Sequence, residues 1–154
     1  MASASDVAAD LETIKQKFVG KWKLTKSEGL DEYLKFLGLN FVFRKLAAAA
    51  SCTVEISVEE DKICFITHGP KTSTEVFSLN TEWELKDPVG NDITAIVTFE
   101  GGMLVNNSKP RGNSKAKKTK VTREICVGAA GKVEMVMTVN AEALVMKRYF
   151  DKQP

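Results

Sequence analysis

The stretch Ala143-Leu144-Val145-Met146-Lys147-Arg148-Tyr149-Phe150-Asp151-Lys152 decides how the rest of the chain is read. Taken as a strand, it alternates. Leu144, Met146, Arg148 and Phe150 share one face, and Ala143, Val145, Lys147, Tyr149 and Asp151 share the other. The first face is the more apolar, yet an arginine stands in its middle. A guanidinium does not shed its proton, and an unpaired buried charge costs roughly several kcal/mol. Something anionic must compensate it. The stretch Lys120–Val127 repeats the pattern: Val121, Arg123, Ile125 and Val127 face one way, Thr122, Glu124 and Cys126 the other. A lone arginine of this kind is ordinarily paired with a structural glutamate or turned outward. Two of them, on the apolar faces of two C-terminal strands, point to an anion site in a shared interior.

Upstream, most of the chain reads as strands. Candidates are Cys52–Val58, Lys62–His68, Ser73–Leu79, Glu82–Leu85, Thr94–Glu100, Met103–Asn107, Lys118–Val127 and Lys132–Val139, followed by Leu144–Lys152. The breaks between them carry turn chemistry: Glu59-Glu60-Asp61, Gly69-Pro70, Asp87 to Asn91, Gly101-Gly102 and Gly128 to Gly131. An earlier strand starts at Phe18, with Phe18, Gly20, Trp22 and Leu24 alternating. Trp22 reads as a structural plug. The period changes over residues 29–50. Leu30, Tyr33, Leu34 and Leu37 make a helical stripe, Gly38 stops it, and Asn40 caps a second helix from Phe41 to near Ala50. About ten strands with hairpin-length links predict an all-β, up-and-down antiparallel barrel, with the helical pair between its first two strands as a lid.

Residues 1–16 read as an N-terminal extension to a single barrel domain over 17–154. Val7, Leu11, Ile14 and Phe18 recur at helical spacing, with Ser5 and Asp6 as candidate caps; the alternative is a frayed polar tail.

The 154 residues suffice for one sizeable core, and a net charge of +2 names no partner. Three cysteines, Cys52, Cys64 and Cys126, are odd in number and form no C-x-x-C pair, which argues against a disulfide framework or zinc site and fits a reducing compartment. A single histidine, His68, excludes a His-rich metal centre, and no cofactor is implied. No apolar run approaches the ~20 residues of a membrane span. These features predict a cytoplasmic, monomeric protein, with access to the nucleus left open. The stretch Asn107–Lys120 carries Lys109, Arg111, Lys115, Lys117, Lys118 and Lys120 without an acid. It reads as a solvated loop, or else as a patch that docks on anionic membrane or directs nuclear import.

The stretch from Gly20 to Gly38 resembles the N-terminal signature of the intracellular fatty-acid-binding proteins, a family that includes the cellular retinoid-binding proteins. The likeness continues through Phe99–Val105, Thr122-Arg123-Glu124 and Lys147–Lys152, covering roughly residues 17–152. It implies a ten-stranded barrel with a helix–turn–helix lid and one long-chain fatty acid inside. It also implies that Arg123 and Arg148 hold the carboxylate. The third member of the usual clamp, a tyrosine, falls on Phe150, and Tyr149 does not replace it because alternation turns it outward. A water, or Ser or Thr hydroxyls, would have to stand in. The resemblance further places Leu30, Leu34 and Ala47 at lid or cavity positions, and Lys71 at a portal usually held by phenylalanine, which implies a more polar gate. The basic loop and the hairpin around Asn140 to Ala143 are longer than is usual for the family.

The implied activity is carriage. Burial of a CH2 is worth ~0.8 kcal/mol, so a sixteen-carbon tail gives at most on the order of 12 kcal/mol before association costs. The arginines would orient the ligand and select a carboxylate. Retinoic acid fits the same description; retinol does not. An enzyme reading requires a nucleophile and base, and His68 has no flanking nucleophile signature. Nucleic-acid binding through the basic loop lacks an aromatic stacking platform.

Overall fold

Alternating apolar residues build the strands, and the computed structural model describes residues 4–154, with side chains from Asp6 onward. Helix α1 (Ala4–Lys17) leads into β1 (Gly20–Glu28), followed by α2 (Leu30–Phe36) and α3 (Phe41–Ala49). Then come β2 (Thr53–Glu59), β3 (Lys62–His68), β4 (Ser73–Phe77), β5 (Trp83–Lys86), β6 (Asp92–Glu100), β7 (Met103–Pro110), β8 (Thr119–Val127), β9 (Val133–Ala141) and β10 (Leu144–Lys152). The ten strands form one antiparallel sheet in the order β4-β3-β2-β1-β10-β9-β8-β7-β6-β5. Every pairing joins chain neighbours except that of β1 with β10, which closes the barrel. The one unpaired seam lies between β4 and β5. There the rings of Phe77 and Trp83 stack at 5.0 Å with planes 15° apart, so side chains bridge where backbone bonds do not.

The barrel closes because β1 bends. Its first half pairs with both β2 (Trp22 opposite Val54) and β10 (Trp22 opposite Lys152), and its second half with β10 alone (Ser27 opposite Arg148), after a bulge between Leu24 and Lys26. Gly29 follows at φ +72°; a Cβ there would sit 2.8 Å from the Val145 carbonyl oxygen, so the turn from strand to lid needs glycine. In α3, the Asn40 side chain accepts a hydrogen bond from the Phe43 amide at 3.0 Å, the expected cap. Arg44 ties the lid together, bonding Asp31 at 2.9 Å and the Leu39 carbonyl at 2.8 Å.

The core occupies one end of the barrel. Trp22, Phe18, Ile14 and Phe150 are essentially inaccessible to water, with Leu11, Val54, Ile63 and Met135 around them. Trp22 is a plug, and its Nε1 donates to the Phe18 carbonyl at 2.9 Å. Helix α1 belongs to this core through Leu11 and Ile14. Asp6 lies in its first turn and so does not precede the helix as a cap; the Ser5 side chain lies outside the described ones. A second cluster under the lid joins Tyr33 and Leu34 to Val139, Ala141 and Met146.

The basic stretch differs from the sequence reading. Its ends are strand: Lys109 lies in β7 and Lys120 in β8, leaving only Arg111–Lys118 as loop. Arg111 pairs with Glu84 and Asp92, and Lys117 reaches Glu142 at 4.0 Å. Lys109, Lys115, Lys118 and Lys120 have no acidic partner among the described residues.

Candidate functional site: an internal cavity with two arginines

Between the plugged end and the lid lies a cavity of about 320 Å³. Helix α2 and its C-cap roof it with Leu30, Tyr33, Leu34 and Leu37, while Phe65, Phe77, Val97, Leu104, Met137, Val139 and Met146 give it apolar walls. Such walls suit a hydrocarbon chain. Met146 and Arg148 of β10, and Val121 and Arg123 of β8, line it together, because alternate residues of each strand face inward.

The two arginines are held differently. Arg148 donates from Nε to the Ser27 hydroxyl at 3.2 Å, across the β1–β10 closure. Arg123 lies over the Phe65 ring, with Cζ 4.9 Å from its centroid. Its Nη1 is buried and has no hydrogen-bond partner. Burial lowers the Arg123 pKa to about 10, against an upward pull from Glu75 and then Cys52, and Arg148 adds like-charge repulsion. Arg123 therefore stays charged at neutral pH. Burial likewise lowers Arg148, with Cys52 opposing. Two desolvated cations beside one buried, unused donor make a site suited to an anion.

Glu75 completes the polar end. It is the cross-strand partner of Phe65, the ring over which the Arg123 guanidinium lies, and both residues point inward. Burial pushes the Glu75 carboxyl up, and the charge of Arg123 pulls it back down. No ion pair within 4.0 Å joins the two. Asn106 and Ser108 of β7 and Thr119 of β8 also line the cavity, and the Asn106 side-chain oxygen is buried without a partner.

A curated relative, fatty acid-binding protein homolog 6 of Caenorhabditis elegans, is 37% identical over 95 residues, spanning 61% of this chain and 70% of the relative. This chain belongs to the fatty-acid-binding protein family. The barrel is similar to that of apo lipid binding protein 8 of Caenorhabditis elegans, with a TM-score of 0.80 at 25% identity over 90% of this chain and 96% of the other. It is also similar to a fatty-acid-binding protein from Drosophila melanogaster brain, with a TM-score of 0.74 at 32% identity over 88% of this chain and 99% of the other. No family model matches the sequence.

In this family member, Arg123, Arg148, Leu30 and Leu34 line the cavity. Three other residues to which the resemblance gave site positions do not. Phe150 sits one alternation deeper than Arg148, fully buried in the plug beside Trp22 and Met135 and outside the cavity lining. Ala47, on α3, packs against the Tyr33 and Leu34 cluster and lies outside the cavity lining. Lys71 is solvated in the turn between β3 and β4. Glu75 was missed, although it shares parity with Phe77 and Leu79 and so stands on their apolar face. His68 is exposed on the outer wall, bonded to Glu55 at 2.9 Å and outside the cavity lining. Among the described residues, no helix is long and apolar enough to cross a membrane.

Proposed function

We propose that this protein is a cytoplasmic, monomeric carrier that binds one long-chain fatty acid non-covalently in the cavity and delivers it to membranes or enzymes. The carboxylate is held by Arg123 and Arg148. The observation that carries this reading is the buried, unpartnered Nη1 of Arg123 at the polar end of an apolar cavity. A carboxylate supplies the missing acceptor, and the tail fills the walls. With Phe150 in the core, the third contact falls to a donor that lines the cavity, the Ser108 or Thr119 hydroxyl or the Asn106 Nδ2. The relatives, named as fatty-acid-binding proteins, support a carrier and not an enzyme. Retinoic acid, another hydrophobic carboxylate, is the second reading that the same site accommodates.

The test is equilibrium binding of oleate, retinoic acid and methyl oleate to delipidated protein. Oleate should bind at least tenfold more tightly than its methyl ester, which presents no charge to the guanidiniums. Equal binding of acid and ester would remove the carboxylate site. The comparison of oleate with retinoic acid decides the cargo.

Delivery would use the lid. Phe41, Val42, Phe43 and Leu46 of α3 are exposed, beside Arg44 and Lys45. The unpaired Lys109, Lys115, Lys118 and Lys120 add positive charge. Transfer of a fluorescent fatty acid to vesicles is therefore expected to accelerate with anionic-lipid content and to slow several-fold between low and ~0.5 M salt, as screening shortens the reach of these charges. Rates indifferent to both variables would rule out collision with anionic membranes.

A further inference from the structure

The polar end of the cavity holds an acid as well as two bases, which is unexpected in a site meant for an anion. Arg123, Arg148 and Glu75 all line it, from β8, β10 and β4. The other charged groups around the cavity are engaged elsewhere. Lys86 bonds Asp92 at 2.7 Å, Lys117 reaches Glu142, and Asp87 accepts from the amides of Val89 and Asn91 and from the Asn91 side chain. Tyr33 faces the cavity from α2, and Cys52, in the segment before β2, is buried outside the cavity lining. Two guanidiniums and one carboxylate leave the polar end with a single uncompensated positive charge.

We infer that Glu75 is a specificity-determining residue: it sets the cavity to accept a monoanionic head group and to reject a dianionic one such as an alkyl phosphate. This rests on the carrier reading above. A carboxylate neutralises the site and satisfies Arg123. A dianion leaves an excess negative charge facing Glu75 in a medium that screens poorly, and the repulsion from Glu75 doubles with ligand charge. Attraction to the two arginines doubles as well, but the cost of stripping water from the head group rises faster than its charge, and Glu75 removes part of the attraction that would offset that cost.

The test compares three ligands with the same tail at pH 8, where an alkyl phosphate is a dianion. They are hexadecanoate, hexadecanesulfonate and hexadecyl phosphate. The sulfonate is tetrahedral like the phosphate but carries one charge, so it separates charge from shape. Wild-type protein should bind the sulfonate at least roughly tenfold more tightly than the phosphate. Glu75→Gln should shrink that preference at least threefold by gaining phosphate affinity, and Glu75→Asp, which keeps the charge, should retain it. Sulfonate and phosphate bound equally by wild type, or an unchanged preference in Glu75→Gln, overturns the role of Glu75 while leaving the carrier intact, provided hexadecanoate binds. Failure of wild type to bind hexadecanoate overturns both. The wild-type comparison stands even if a variant folds poorly.

Discussion

Arg123→Ala is expected to weaken oleate binding by about 30- to 4,000-fold, the range that follows from removing one member of a desolvated charge pair at roughly 2–5 kcal/mol. The loss has two parts. The carboxylate forfeits the buried Nη1 donor, and Glu75 is left in the cavity without the cation that draws its pKa down. One cation and one acid then remain at the polar end, and its net positive charge is lost. Arg148→Ala should cost less, about 10- to 150-fold, because Arg148 faces no acid and its loss strands only the Ser27 hydroxyl. Titration calorimetry on delipidated protein reads both. An Arg148 variant weaker than the Arg123 variant would place the head group on the β10 side, and unaltered affinity in both would put it outside the arginine end altogether.

Trp22→Ala is expected to cost roughly 3–5 kcal/mol, lowering the melting temperature by about 6–20 °C. Trp22 is completely buried at the plugged end, touching the same cluster as Phe18, Ile14 and Phe150. Its removal leaves a void bounded by α1 and several strands, which cannot all collapse inward without breaking ladder bonds. The Phe18 carbonyl also loses its donor. Trp22→Phe keeps most of the bulk and loses the donor, so it should fall between the two at roughly 1–3 kcal/mol. Both are measured by urea unfolding of ligand-free protein, since a bound fatty acid would add its own stabilisation. A loss below about 1 kcal/mol in Trp22→Ala would mean that the plug rests on α1 and Phe150 and not on this indole.

The strands and the lid were legible because each was written in period and punctuation. Leu30, Tyr33, Leu34 and Leu37 announce one helix, Asn40 caps the next, and Arg123 and Arg148 stand out as charges on apolar faces. Depth was not legible. Alternation tells which way Phe150 points but not that the barrel is already solid at its level, since that depends on Ile14 and Trp22 arriving from elsewhere in the chain. The same holds for α1: its spacing suggested a helix, but only tertiary packing shows Leu11 and Ile14 buried beside Phe18. Glu75 was hidden by the brevity of its strand, where one inward acid among exposed Ser73, Thr74 and Val76 looks like a surface residue. The basic stretch read as one long loop because lysines are poor strand formers; pairing with β6 and β9 overrides that preference at Lys109 and Lys120.

The ladder order has a kinetic consequence. Eight of the nine strand pairings join neighbours in the chain and can form as local hairpins, while the pairing of β1 with β10 brings together Ser27 and Arg148 across 121 residues. Ring closure over that separation carries the largest entropic cost of any contact in the sheet, so it belongs to the late part of folding. The contact that orients Arg148 is part of that closure. A chain that has collapsed but not yet joined its first strand to its last already holds a greasy interior, roofed by the lid, without a fixed head-group site. Affinity for hydrocarbon is thus written into short-range pairings, and the orientation of Arg148 into the single long-range one.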